Sequence, residues 1–124
     1  ELMTLSLIRT KFSETIAMNC NLKKIKHEAS MMGLFSTSDA MLDQNMAEAL
    51  EGISLPNSIT DTLIKNEGIL LPIFKLVGYC ERGDWDAAFE LARQLSLNED
   101  SLFDAYMESV KWARETVRMM YLSS

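Results

Sequence analysis

The sequence predicts an all-α fold: a compact bundle of about six or seven helices, forming one domain over residues 1–124. Three observations carry this expectation. Apolar residues recur at steps of three and four along nearly the whole chain, the period of a helix with one face on a core. Capping residues and helix stops interrupt that pattern at short intervals. No stretch alternates as a half-buried strand does, and the β-branched residues are scattered.

Leu5, Ile8, Phe12 and Ile16 predict a first helix over about residues 2–18. After the polar break at Asn19–Asn21, Leu22, Ile25, Ala29 and Met32 continue the same spacing. Ser36 and Asp39 have the separation of a capping box, and Asn45 with Glu48 repeats it less typically. Gly52 is a plausible stop. Beyond Pro56, Asn57 or Ser58 is expected to cap a helix carrying Ile59, Leu63 and Ile64 and ending near Gly68. Leu70, Ile73, Phe74, Val77 and Cys80 predict one arm of an αα-hairpin, with Pro72 in its first turn. Gly83 suits the left-handed stop, and Asp84 the cap of the second arm, which Trp85, Ala88, Phe89, Ala92 and Leu95 line. The last helix follows Asn98. Glu99 and Asp100 favour its positive end, Arg114 and Arg118 its negative end. Leu102, Tyr106, Val110, Ala113, Val117 and Met120 form its main stripe.

Composition narrows the function. The chain has 124 residues, enough for one hydrophobic core without metal or disulfide staples. The net charge of −6 speaks against nucleic acid, whose binding rests on phosphate neutralisation. The densest basic cluster, Lys23, Lys24 and Lys26 beside His27, reads as a solvated face. No apolar run is long enough for a membrane span, and no signal peptide is visible. Cys20 and Cys80 lack metal or redox spacing and fit a reducing, cytoplasmic setting, although the spacing leaves a Cys20–Cys80 bridge open. The chain begins at Glu1 rather than Met, which fits a segment of a longer polypeptide or a trimmed end. The nine methionines read mainly as core filler.

Catalytic chemistry finds no support in the residues. His27 is the only histidine, and a zinc or di-iron site needs several ligands. No serine stands in a nucleophile elbow, and neither glycine-rich phosphate loop occurs. No pair of carboxylates is singled out. Catalytic, cofactor and metal sites are therefore expected to be absent.

Three segments then acquire meaning together: M-G-L-F-S-T-S-D-A-M-L-D from Met32 to Asp43, Y-C-E-R-G-D-W from Tyr79 to Trp85, and A-Y-M-E-S-V-K-W-A from Ala105 to Ala113. With R-T-K-F-S-E, from Arg9 to Glu14, they resemble the C-terminal half of the HDOD domain, a degenerate relative of the HD-GYP phosphodiesterases. The version that follows an EAL domain in YuxH-like bacterial signalling proteins is the nearest in pattern. The resemblance implies an HD-like helical fold. Active relatives carry a G-L-L-H-D-I-G-like element whose His and Asp hold metal. Aligning Gly33 and Leu34 with it places Ser36 and Thr37 where His and Asp would stand. Cyclic-di-GMP hydrolysis would then belong to an EAL domain outside this chain.

The expected function is a non-catalytic regulatory and protein-interaction module, with an EAL domain or a second copy of the chain as partner. A residual HD-type phosphohydrolase and an independent ligand-binding or structural domain are the alternatives. A candidate interface lies on the last helix, where Ala105, Trp112 and Met119 are spaced by seven and stack outside the main stripe.

Overall fold

A computed structural model describes residues 1–123. Among them are eight α-helices, one 3-10 turn and no strand, so the all-α expectation holds. Six helices have nine residues or more: α1 (Leu2–Asn19), α2 (Lys26–Phe35), α5 (Asn57–Lys65), α6 (Leu71–Glu81), α7 (Trp85–Gln94) and α8 (Glu99–Leu122). The other two, α3 (Ser38–Leu42) and α4 (Met46–Ala49), are barely more than single turns. The 3-10 turn, Lys23–Ile25, links α1 to α2.

The first helix is the centre of the molecule, with α2 and α8 as its main neighbours. It can take both because it carries two inward faces. Phe12 and Ile16 lie on one and are fully buried. Ser6, Ser13 and Ala17 lie on the other, about a quarter-turn round, and are buried too. Small side chains there let α2 approach closely. A β-carbon on Gly33 of α2 would stand 2.3 Å from the Arg9 carbonyl oxygen, so only glycine fits. The Ser6 hydroxyl donates across the same junction to the Leu34 carbonyl at 3.1 Å.

The last helix runs antiparallel to α1. Tyr106 meets Phe12 edge-on at 5.2 Å between ring centroids, and farther along Lys11 of α1 stands over Trp112. The α6–α7 hairpin completes the core with Ile73, Leu76, Val77, Cys80, Ala88 and Ala92. Its corner is the one expected. Gly83 is left-handed (φ 71°), the Asp84 N–H reaches back to the Tyr79 carbonyl, and the Asp84 carboxylate accepts from the Ala87 N–H. Asn45 caps α4 through the Glu48 N–H at 2.9 Å, and Asn98 caps α8 through Asp100 and Ser101.

Other local expectations are corrected. Ser36 caps nothing: it ends α2, and its hydroxyl donates to the Gly33 carbonyl. Thr37 is the residue before α3, without a side-chain cap. Pro56, not Asn57 or Ser58, precedes α5, and Ser58 instead donates to the Glu28 carboxylate of α2 at 2.5 Å. The fifth helix ends at Lys65, with Asn66 left-handed, before Gly68 is reached. The eighth helix continues four residues past Arg118, so no basic residue lies in its last turn. Both thiols are free, so there is no Cys20–Cys80 bridge.

Candidate functional site

The segments that stood apart in the sequence meet at one point. Arg9 projects from α1 toward the end of α6, where its Nε and Nη2 donate to the two oxygens of Glu81 at 2.9 and 3.0 Å. Its Nη1 donates to the Ser36 hydroxyl at 3.2 Å and to the Ser36 carbonyl at 3.3 Å. One guanidinium thus joins the segment at Arg9–Glu14, the segment at Met32–Asp43 and the segment at Tyr79–Trp85. A planar fork is suited to this, because it binds a carboxylate in two places and keeps a donor for a third partner.

Ser36 and Thr37 are both buried at this junction. The Ser36 oxygen is occupied by Arg9 and Gly33, and the Thr37 hydroxyl lies 3.8 Å from the Met41 sulfur. Neutral hydroxyls so engaged are poor metal donors. Among the described residues, no three His, Cys, Asp or Glu side chains cluster as a metal site would require. His27 is exposed on the first turn of α2, in a different part of the molecule.

Burial tunes two neighbouring groups. The Cys80 thiol is pushed up to about 12, first by burial and then by the Glu81 charge. Tyr106 is also raised, mainly by burial, with Glu81 and Cys80 adding to it. Beside Arg9 a cleft of about 340 Å³ opens to solvent. Phe74, Lys75, Tyr79 and Arg82 line it, with the Arg82 guanidinium 5.4 Å above the Tyr79 ring.

The three residues of the expected interface line separate. Ala105 is partly buried and packs against the core. Trp112 is 38% exposed and Met119 67% exposed, so these two face solvent. Lys11 covers one side of the indole, 5.8 Å from its centroid. Met120, expected on the main stripe, is exposed where the helix runs out.

The chain is similar to a cyclic di-GMP phosphodiesterase. That protein, CdgJ of Vibrio cholerae serotype O1, is 26% identical over 120 residues. The alignment takes in 97% of this chain but only 28% of the relative's length. No protein-family model matches the chain, and no solved structure does. Sequence reasoning found Ser36 and Thr37 through the family pattern but missed Arg9 and Glu81. The available signal was an arginine on the apolar stripe of α1 between Leu5 and Phe12, where a charge needs a partner.

Proposed function

We propose that this chain is a non-catalytic regulatory module of a bacterial cyclic-di-GMP signalling protein, corresponding to the C-terminal half of an HDOD-like domain. The observation that carries the reading is the junction of Arg9, Ser36 and Glu81. Where the family pattern puts a metal-binding His and Asp, this chain has two buried hydroxyls, one of them bound to a guanidinium. The chemistry there is suited to tying helices together. The similarity to a phosphodiesterase over 28% of its length supports a place beside a catalytic unit in the same signalling system.

In this reading the module contacts an EAL domain and shifts it between more and less active arrangements. Such an effect requires only that the module bind the two arrangements unequally. A cytoplasmic location goes with it. No helix among the described residues is long and apolar enough to cross a membrane.

The test compares three samples for cyclic-di-GMP hydrolysis: the chain alone, an EAL domain alone, and the two together. The chain alone is expected to be inactive with manganese, iron or magnesium, and to change the EAL rate when present. Metal-dependent hydrolysis by the chain itself would overturn the reading in favour of a residual HD-type enzyme. An unchanged EAL rate, with the two also covalently joined, would favour an independent structural domain.

A further inference from the structure

The outer face of α8 carries charges that form no ion pair among the described residues. Glu108, Lys111, Glu115 and Arg118 are all exposed. None of them takes part in an ion pair among the described residues, whose pairs are Arg9–Glu81, Lys65–Asp61, Arg93–Glu90 and Arg93–Glu99. At 100° per residue these four lie within one strip of the helix, which also holds exposed Asp104 nearer the helix start and has Trp112 along its edge. The helix has 24 residues, about 36 Å at 1.5 Å per residue, long enough to serve as a pairing surface.

The order of the charges is self-complementary. Place a second α8 antiparallel to the first, with the two-fold axis at the level of Ala113. Glu108 then lies level with Arg118 of the copy, and Lys111 level with Glu115. The symmetry repeats both pairs, giving four opposite-charge pairs and no like-charge pair in the strip. The two Trp112 side chains fall along the same edge of the paired helices, one residue to either side of the axis. The two indoles are offset by two residues, about 3 Å along the helix.

Neighbouring registers fail. A slide of one turn in one direction sets Lys111 against Lys111 or Glu108 against Glu115. A slide in the other sets Lys111 against Arg118 or Glu115 against Glu115. Parallel pairing in register sets every charge beside its own copy. Like charges facing each other across an interface oppose association, so the register centred on Ala113 is favoured over its immediate neighbours and forms the most opposite-charge pairs.

We propose that α8 pairs antiparallel with α8 of a second copy of this chain, centred on Ala113, through Glu108–Arg118 and Lys111–Glu115 ion pairs around a Trp112 anchor. Exposed Trp is a common anchor of such contacts because it buries much surface at small conformational cost. This deepens the interaction-module reading and rests on it in one respect: the outer face of α8 binds protein.

The test is association of the full chain, followed by sedimentation across a wide concentration range. The unaltered chain is expected to form a dimer that weakens as salt is raised. Lys111→Glu and Glu115→Lys, each alone, are expected to weaken it about tenfold or more by facing like charges. Mixed in equal amounts, these two single variants are expected to form a heterodimer, since every reversed charge then meets its opposite. The double variant Lys111→Glu/Glu115→Lys is expected to dimerise as the unaltered chain does. Circular dichroism checks that each variant folds. A chain that stays monomeric overturns the proposal, including one that instead binds an EAL domain through α8. A dimer indifferent to both single reversals overturns it too. Neither result alters the outcome of the hydrolysis test above, which reads regulation alone.

Discussion

Arg9 and Glu81, seventy-two positions apart, form a two-pronged ion pair at 2.9 and 3.0 Å, and the same guanidinium holds Ser36. Both side chains are mostly shielded, with 21% and 17% exposure. Breaking a fully buried pair costs roughly 3–5 kcal/mol, and partial exposure lowers that. Arg9→Ala is therefore expected to destabilise the fold by about 2 kcal/mol. Arg9→Lys is expected to recover only part of this, because an ammonium cannot hold two carboxylate oxygens and Ser36 with one planar fork. Denaturant unfolding of both variants measures the difference. Equal stability of Arg9→Lys and the unaltered chain would show that charge alone suffices.

Gly33→Ala tests the closeness of α1 and α2. The added methyl would stand 2.3 Å from the Arg9 carbonyl oxygen and 2.8 Å from the Thr10 nitrogen. Both obstacles are backbone atoms of a long helix, so relief requires the two helices to separate. The expected cost is about 3 kcal/mol or more, read as a large fall in Tm. A Tm within a few degrees of the unaltered protein would show that the junction yields easily.

Cys80 and Cys20 are expected to separate by reactivity. Cys80 is buried and its thiol is held up to about 12, whereas Cys20 is partly exposed. A thiol reagent at mildly alkaline pH should modify one cysteine in the folded protein and the second only after denaturation. Stability has a matching pH dependence. The unfolded thiol ionises near 9.0 while the folded one stays protonated until about 12. The contribution of the neutral thiol is therefore complete below about pH 9 and is lost as the pH rises toward 12. Tyr106, also raised, acts in the same direction. Denaturation midpoints that stay flat across this range in the unaltered chain, or that fall equally in Cys80→Ala, would contradict it.

Trp112→Ala separates an interface role from a core role. The indole is 38% exposed, with Lys11 on one side. Truncating a tryptophan in a closed core costs roughly 3–5 kcal/mol. Here about 1 kcal/mol of stability is expected to go, together with most of the self-association. A core-sized loss of stability with association intact would place Trp112 among the packing residues.

The helical period and the polar caps at Asn45, Asp84 and Asn98 could be read directly, because each depends on a few neighbouring residues. What escaped depended on tertiary partners or on unusual choices at helix ends. Asp43, Asn66 and Ser96 all adopt positive φ where glycine is the usual signal, so α5 stops at Asn66, two residues before the glycine near which its end is expected. Ser58 is drawn from its cap role by Glu28, a residue on another helix. The second inward face of α1 was hidden because Ser6 and Ser13 are polar by type and buried for their smallness. At the junction, Ser36 was legible as a departure from a family pattern. Arg9 on the apolar stripe of α1 signalled that a partner was needed, but nothing local says that the partner is a glutamate seventy-two positions away.

The central position of α1 has a consequence for how the protein is made. Within these residues the ribosome delivers α1 before α2, which arrives soon after to cover its small-residue face. Phe12, however, is closed by Tyr106 of α8, ninety-four positions later in the chain. The growing chain therefore carries Phe12 without its Tyr106 cover until α8 has emerged. A product released before Ala113 and Val117 have been added lacks the lid over its own first helix, and is left as a target for chaperones and proteases.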